Sequence, residues 1–411
     1  MKRLTAGSFA SLAVPNYRLY FTGQAISLIG TWMQTVAQAW LVLELSHSGT
    51  LIGVLAAVQL LPVLVFSPYA GAVADRIDKR RLLLANNVCS GLLALTLGLL
   101  TVTGVVTLWI VFALAAALGL ARAFTAPVQQ SFASELVGLE LLQNAVSLNN
   151  VMLNAARAVG PALAGVMIAS VGVGVCFLVN AASFIAVLVA LGAMDTGALQ
   201  PSEPVARARG QVREGIRYVR ANPGLLAPLL MMAVVGTLAY EFQVSLPLMA
   251  AGPLHGGAGA YGFMTAAMGV GAVVGGLLIN SRLRVGLHTL SVLCLAFGAA
   301  IAGAALAPSL PIELAALLLV GAASTAFMST SASTLQLRAD PRFRGRVMAL
   351  WSVAFLGSTP IGGPLIGAVS EYLSPRAGLI VGAAACVACA GVGWTAANRL
   401  RARRPAAARA P

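Results

Sequence analysis

The feature that most constrains this chain is a series of long apolar runs separated by short polar connections. Twelve runs reach the roughly 20 apolar residues that a helix needs to cross the hydrocarbon core of a bilayer. Of the 411 residues, 59% are hydrophobic and only 9% are charged, whereas a typical soluble domain has about 25% charged residues. A soluble fold cannot cover that much apolar surface, but in a membrane the lipid is the outer solvent. The sequence therefore predicts an all-α integral membrane protein.

A longer polar segment divides the twelve predicted spans into two groups of six. The predicted organisation is an N-terminal six-helix bundle at 1–194, a cytoplasmic linker with a surface helix at 195–224, a C-terminal six-helix bundle at 225–398 and a disordered basic tail at 399–411. The predicted spans are Leu19–Glu44, Leu51–Ala74, Leu82–Thr103, Val106–Gln130, Asn144–Ser170, Val173–Met194, Leu225–Ala250, Ala260–Ser281, Gly286–Leu306, Ile312–Thr334, Val347–Glu371 and Ala377–Asn398.

Basic residues are distributed unevenly between the two sides of the predicted membrane. The net charge is +14, and such an excess can indicate nucleic-acid binding, but here the basic residues lie in short clusters between apolar runs. With both termini in the cytoplasm, 24 of the 26 Lys and Arg residues fall on the cytoplasmic side, Arg376 falls outside and Arg157 lies within a span. The positive-inside rule therefore predicts a multi-pass protein of the bacterial cytoplasmic (inner) membrane, with both termini inside and no nucleic-acid partner.

Two pairs of residues recur at a fixed distance along the chain. Ala123-Phe124 in the fourth span recurs as Ala326-Phe327 in the tenth, and Gly160-Pro161 in the fifth recurs as Gly363-Pro364 in the eleventh, both 203 residues later. Because the pairs fall in equivalent spans, they indicate a duplication that produces two pseudo-symmetric six-helix bundles. Transporters often contain such repeats and bind their substrates where the repeats meet.

The connection between the second and third spans contains a short pattern of glycine, acid and basic residues. Its members are Gly71, Asp75, Arg76, Lys79 and Arg80. This pattern resembles the signature loop of the major facilitator superfamily, although Val73 and Asp78 replace the more common residues there. The resemblance implies the twelve-span fold of that superfamily and a gating role for Asp75, Arg76, Lys79 and Arg80. The alternative is a solvated loop that only sets the topology.

Four further stretches resemble one branch of this superfamily, the branch that contains the enterobactin exporter and drug:proton antiporters. They are Asn16–Gln24, the Ala123-Phe124-x-x-Pro127 segment, the Arg157-x-x-Gly160-Pro161 segment and the linker Arg213–Val219. The resemblance implies proton-driven export of a siderophore, drug-like or amphiphilic small molecule by alternating access. The alternatives are an uncoupled or uptake carrier, a lysophospholipid-type flippase and a membrane receptor that transports nothing.

Two predicted spans have a polar face. Gln24, Ser27, Thr31, Gln34 and Gln38 recur at steps of three or four in the first span and therefore share one side of a helix. We expect Gln24, Thr31, Gln34 and Gln38 to line the cavity and contact the cargo, and the alternative is hydrogen bonding between helices.

The fifth span has a second polar stripe formed by Asn150, Asn154 and Arg157. An arginine at the centre of a membrane helix costs about 2.5–3.5 kcal/mol, so the stripe is expected to face a water-filled cavity or another polar group. Asn150 and Asn154 are predicted to line the cavity, and Arg157 is a candidate for proton coupling. The motif Gly160, Pro161, Gly165, with Gly363 and Pro364 in the eleventh span, is predicted to bend the helix or to allow close packing.

Glu241 is the one acid placed well inside a predicted span. Embedded ionisable residues usually have a function, so Glu241 is the second candidate for proton coupling, and the alternative is a structural acid near the outer mouth. Thr237 and Ser245, one turn to either side, are predicted to line the cavity. Glu44, Glu313 and Glu371 fall at outer helix ends, where we expect them to be solvated.

The chain lacks the sequence features of enzymes and ATP-driven pumps. It has no phosphate-binding Gly-rich Lys-Ser/Thr loop, its three histidines lie in or beside loops, and its five cysteines lie in apolar runs. The sequence therefore predicts a non-enzymatic, monomeric protein without cofactor or metal. Its predicted partners are a small-molecule cargo, protons and the lipid bilayer.

Overall fold

A computed structural model of the protein describes residues 7, 9–74, 77–199, 211–279 and 285–402. These residues form helices and connections without any strand. Twelve segments among them are helices long and apolar enough to cross a membrane. The predicted class, an all-α membrane protein with twelve spans, is confirmed.

Fourteen α-helices make up the described part of the chain, after a short 3-10 helix at Ala10–Ala13. They are α1 (Pro15–Ser46), α2 (Gly49–Ala74), α3 (Lys79–Val102), α4 (Leu108–Val171), α5 (Val173–Gly192), α6 (Gln211–Ala221), α7 (Pro223–Ala239), α8 (Phe242–Ala251), α9 (Gly257–Val274), α10 (Leu287–Ala305), α11 (Leu310–Arg338), α12 (Arg344–Leu356), α13 (Thr359–Tyr372) and α14 (Pro375–Ala402).

Helices and predicted spans do not correspond one to one. Helix α4 contains both the fourth and the fifth span, which meet at Gly138 with a φ of 70°, in a region that glycine adopts at little cost. The seventh span consists of α7 and α8, and the eleventh of α12 and α13. These last two spans are each interrupted, which the apolar pattern did not indicate.

The chain forms two compact units. The first contains residues 1–47, 58–206 and 257–266, and the second contains residues 48–57, 207–256 and 267–411. In the first unit α5 packs against α1 and α3, and in the second α14 packs against α7 and α10. The sixth span thus packs in its unit as the twelfth does in the other, which agrees with a duplicated six-helix arrangement.

The amphipathic helix α6 lies in the linker, within the second unit. Its Glu214 forms a 2.7 Å ion pair with Arg346, and the ring of Tyr218 stacks on Phe343 with centroids 4.3 Å apart. The Tyr218 hydroxyl also accepts a hydrogen bond from the backbone N–H of Asp340. One face of α6 is therefore packed on the connection between α11 and α12.

Candidate functional site

The seventh span is broken at Tyr240 and Glu241. Helix α7 ends at Ala239 and α8 begins at Phe242, while the two residues between have φ, ψ of −97°, 6° and −83°, 41°. Helix α8 contains Pro247, whose missing N–H removes one backbone hydrogen bond from this span. In transporters, interrupted membrane helices commonly supply substrate and ion sites, because the break exposes polar backbone groups inside the protein.

The eleventh span is broken at Gly357 and Ser358, between α12 and α13. Pro360 is the second residue of α13. Gly357 and Ser358 keep right-handed helical backbone angles, but Pro360 has no N–H to donate to the Leu356 carbonyl, and its ring crowds that carbonyl. The proline therefore ends α12 where the structure shows the interruption.

The two breaks adjoin inside the second unit. Thr359, at the start of α13, lies beside the Glu241 carboxyl. Gly362 faces α7 so closely that a Cβ there would collide with the Thr237 carbonyl oxygen and lie 2.9 Å from Glu241 Oε1. Glycine at this position is what allows the two spans to touch.

Glu241 is enclosed by this contact. Only 5% of the residue is exposed, and its Oε1 has no hydrogen-bond partner among the described residues. An ionised carboxylate buried with so little compensation is costly. A carboxyl group in this position is therefore suited to take up and release a proton.

An aromatic cluster supports the break from the other side. The Tyr240 ring lies 5.2 Å from both Phe297 and Phe355, centroid to centroid, and its hydroxyl donates a 2.7 Å hydrogen bond to the Ser324 carbonyl. Tyr240 thus connects the break to α10, α11 and α12. Sequence reasoning missed Tyr240, because its place at the interruption between α7 and α8 is visible only in the backbone of the folded protein.

The predicted neighbours of Glu241 lie on separate helices. Thr237 is on α7, half-buried, and its hydroxyl donates to the Ala233 carbonyl. Ser245 is on α8 and 2% exposed. The prediction assumed one continuous helical face, and the break places the two side chains on either side of the interruption instead.

Arg157 lies in the first unit, with its guanidinium 5.6 Å from the ring centroid of Trp32 on α1. Arginine over an indole face makes a favourable cation–π contact. On the same stripe of α4, the Asn154 amide donates to the Asn150 carbonyl. The stripe was expected to face a water-filled cavity or another polar group, and the Trp32 ring is one of the neighbours of Arg157.

The polar face of α1 is largely used for contacts within the first unit. Gln34 accepts a 2.5 Å hydrogen bond from Asn180 of α5, and Gln38 accepts one of 3.0 Å from Gln59 of α2. Gln24 is buried, and its Nε2 has no partner among the described residues. Thr31 donates to the Ser27 carbonyl. For Gln34 and Gln38 the arrangement therefore favours hydrogen bonding between helices over contact with the cargo.

The glycines of the predicted bend motif lie at close helix contacts. Helix α4 has helical backbone angles through Gly160, Pro161 and Gly165, and its recorded interruption is at Gly138. A Cβ at Gly160 would lie 2.7 Å from the Ile29 carbonyl oxygen, and one at Gly165 would lie 2.9 Å from that of Gly259.

The corresponding pair in the second unit behaves in the same way. Gly363 touches Gly53, and Pro364 lies inside α13. Since the eleventh span breaks earlier, at Gly357 and Ser358, the Gly-Pro pair marks packing in both units.

The predicted gating loop is described in part. Asp75 and Arg76 lie outside the described residues. Lys79 pairs with Glu135 of α4, and Arg80 donates hydrogen bonds of 2.7 and 3.1 Å to the carbonyls of Leu191 and Gly192. Both side chains therefore fix the start of α3 to its neighbours within the first unit.

Comparison with known proteins identifies the family. A family model described as transmembrane secretion effector matches residues 6–407. The chain belongs to this family of the major facilitator superfamily. It is a multi-pass membrane transporter and not an enzyme.

Several curated transporters are similar to this family member. It is 25% identical to the enterobactin exporter EntS of Shigella flexneri, over 88% of this chain and 87% of that one. It is 27% identical to the multidrug efflux pump Tap of Mycobacterium tuberculosis, over 83% and 84%. It is 31% identical to the staphyloferrin A transporter of Staphylococcus aureus, where the match spans 42% of this chain and less than half, 44%, of the relative.

Solved structures share the fold of this transporter at low sequence identity. A peptide transporter of the POT family matches with a TM-score of 0.73 at 13% identity, over 93% of this chain and 94% of that chain. A bacterial homologue of the lysosomal transporter Spinster matches with a TM-score of 0.71 at 14% identity, over 95% and 98%. These likenesses confirm the predicted fold of the major facilitator superfamily.

Glu313 differs from its expected environment. The residue was expected to be solvated at an outer helix end, but it is 0% exposed, and neither carboxylate oxygen has a hydrogen-bond partner among the described residues. Arg376 at the start of α14 supplies the nearby opposite charge. The expectation was wrong because position at the start of α11 says nothing about the helices that pack over it.

Glu371, at the end of α13, binds the start of α2 within the second unit. Its Oε2 accepts hydrogen bonds from the Ser48 hydroxyl at 2.6 Å, the Thr50 hydroxyl at 2.8 Å and the Thr50 backbone N–H at 2.9 Å. An acid that accepts the free N–H groups of a first helical turn stabilises that turn. Glu371 is exposed as expected, but its carboxylate also connects α13 to α2 through these hydrogen bonds.

We expect Glu371→Ala to lower the thermal stability of the purified transporter, because it removes all three acceptor contacts. We expect the free energy of unfolding to fall by about 1 kcal/mol, because water replaces each lost hydrogen bond and the net contribution of each bond is small. Thermal unfolding in detergent, followed by intrinsic fluorescence, measures the loss. Glu140→Ala removes another exposed acid and serves as the control, and equal melting temperatures for the two variants would contradict the assigned contact.

Proposed function

We propose that this transporter is a proton-coupled exporter of a siderophore, a drug-like compound or another amphiphilic small molecule, working by alternating access. The observation that carries the proposal is the buried Glu241 carboxyl, enclosed by the adjoining breaks of the seventh and eleventh spans. The functions of similar proteins, an enterobactin exporter and a multidrug efflux pump, support the cargo class and the direction.

The physical basis for coupling is the different cost of the two charge states of Glu241. In the enclosed state the neutral carboxyl is favoured over the ion, because burial penalises charge. In a state where water reaches the group, the ion is solvated and the proton is released. Protonation therefore shifts the population between two conformations, and a proton gradient can drive the transport cycle. Arg157 remains the second candidate for coupling.

Cargo contact is assigned to the polar side chains of the first, fifth and seventh spans. We assign this role to Gln24, Thr31, Asn150, Asn154, Thr237 and Ser245, and we assign gating to Asp75, Arg76, Lys79 and Arg80. Gln34 and Gln38 join the cargo contacts only in a state that breaks their hydrogen bonds to Asn180 and Gln59. Gln24 is the strongest of the cargo candidates, because it is buried and its amide nitrogen has no partner among the described residues.

The proposed topology places both termini in the cytoplasm, and the proposed working form is a monomer. The distribution of Lys and Arg supports this orientation. A green fluorescent protein fused to the C-terminus, which does not become fluorescent when exported through the general secretory route, is expected to fluoresce. An alkaline phosphatase fusion at the same place is expected to be inactive, and the reverse pair of results would overturn the orientation.

The functional test is efflux of an amphiphilic fluorescent dye from preloaded cells that produce the transporter. We expect efflux above that of cells with an empty vector, and we expect a protonophore to abolish the difference. Efflux that persists in the protonophore would point to an uncoupled carrier. Accumulation of added dye or of a lysophospholipid, instead of export, would point to uptake or to a flippase.

A further inference from the structure

An open apolar groove lies on the first unit between α3 and α5. Its volume is about 330 Å³, within the range of about 300–1,000 Å³ that is usual for small-molecule sites. The two helices pack against each other, and small residues leave a space between their larger side chains on the outer side. The lining residues that create this space are Gly91, Ala181 and Ala182, and the apolar ones around it include Leu92, Leu95 and Ile185.

The groove is lined almost entirely by apolar side chains, and Asn87 is the one polar side chain among the described lining residues. The Asn87 amide at one end donates one of its two N–H groups to the Leu83 carbonyl within α3, at 2.7 Å. Leu92 and Ile185 nevertheless expose 58% and 59% of their surface. Since this unit spans a membrane, the exposed apolar side chains need an apolar partner, and the bilayer supplies hydrocarbon chains.

A basic group stands at the end of the groove where α3 begins. Arg81 precedes the groove residue Val88 by seven positions, which places both on the same face of α3, about 10 Å apart along the helix axis. The Arg81 side chain is exposed and has no hydrogen-bond or ion-pair partner among the described residues. Its backbone N–H is bound by Asp78.

The neighbouring charged residues that the structure describes leave the Arg81 guanidinium available. Arg80 is directed to the carbonyls of Leu191 and Gly192 at the end of α5, which shows that this end of α3 lies against that end of α5. The acids nearby bind backbone N–H groups: Asp78 binds that of Arg81, and Asp195 that of Gly197. An anion at the mouth of the groove would therefore meet an unengaged guanidinium, a good phosphate ligand.

We propose that this groove is a binding site for one anionic phospholipid, with an acyl chain lying between α3 and α5 and the headgroup phosphate at Arg81. In the orientation proposed above the lipid comes from the cytoplasmic leaflet, where anionic lipids concentrate and basic pockets between membrane helices bind their headgroups. The site is distinct from Glu241, which lies in the other unit, and its occupancy does not depend on the direction or coupling of transport.

The test is native mass spectrometry of the full-length transporter in detergent, titrated separately with phosphatidylglycerol and with phosphatidylethanolamine. We expect one tightly retained phosphatidylglycerol and weaker binding of phosphatidylethanolamine. Arg81→Gln should weaken phosphatidylglycerol binding about fivefold, which corresponds to the roughly 1 kcal/mol expected of one basic residue near a lipid surface. Arg342→Gln, which removes an exposed arginine elsewhere, should leave it unchanged.

A second pair of variants tests the groove itself. Ala182→Phe fills the space and should displace the lipid, whereas Val179→Phe enlarges an exposed residue outside the groove and should not. Ala181→Leu replaces Ala182→Phe if the larger side chain prevents folding, judged by a monodisperse size-exclusion peak. The proposal would be overturned if the two lipids bound equally well. It would also be overturned if neither the groove variants nor Arg81→Gln weakened phosphatidylglycerol binding.

Discussion

Glu241→Gln is expected to reduce active efflux to the level of cells without the transporter, while the protein is produced and folded normally. Glutamine has nearly the same size and keeps a polar group beside Thr359, so the adjoining breaks are retained. It cannot release a proton, so the cycle loses the step that the proton gradient drives. The measurement is dye efflux from energised cells, normalised to the amount of protein in the membrane.

Two comparisons make this result specific to Glu241. Glu140→Gln changes an exposed acid and should export dye like the unaltered protein. Exchange of labelled dye across the membrane at equal concentrations on both sides needs no proton step, and Glu241→Gln should still perform it. Normal uphill efflux by Glu241→Gln would show that this carboxyl does not couple transport to protons.

Gly362→Leu is expected to be the most damaging single substitution at the candidate site. The new side chain would collide with the Thr237 backbone carbonyl and crowd Glu241, and neither helix can give way without moving its backbone. The expected loss is about 3 kcal/mol, at the upper end for overpacked interiors. Fluorescence-detected size-exclusion chromatography and a thermal melt would show a low folded yield and a lowered melting temperature.

A matched substitution separates this effect from the general cost of replacing a membrane glycine. Gly391 in α14 has no atom within 4 Å of where a Cβ would lie, so Gly391→Leu should give normal yield and transport. If both variants behaved alike, the close contact between the two broken spans would not be what holds the site together.

The fold was predictable from the sequence because the bilayer imposes a simple rule on length and polarity. Twelve apolar runs, the 203-residue repeat and the loop around Gly71 led to twelve spans and to the superfamily that the family match then identified. What the apolar pattern did not show is where spans are interrupted. The break at Glu241 depends on backbone geometry and tertiary contacts that hydrophobicity does not reveal. The interruption at Ser358 has a sequence signal, Pro360, which the apolar pattern alone does not register.

The candidate site was predictable only in its titratable residue. A carboxyl inside an apolar run stands out in any sequence, so Glu241 was found, whereas Tyr240, Thr359 and Gly362 have side chains that are ordinary in a membrane helix. The reverse error occurred at Glu313, whose place at a helix end suggested solvent although neighbouring helices bury it completely. Helical periodicity grouped Gln34 and Gln38 correctly on one face, but it could not show that other helices already bind them.

The most direct test of the central claim is proton movement in proteoliposomes that contain the purified transporter and a trapped pH-sensitive dye. With the interior made acidic and an amphiphilic cargo added outside, the account predicts that cargo entry and loss of internal protons occur together. It also predicts that Glu241→Gln abolishes the cargo-dependent proton flux while cargo exchange continues. Cargo entry without any proton movement in the unaltered protein, or unchanged proton flux in Glu241→Gln, would contradict it.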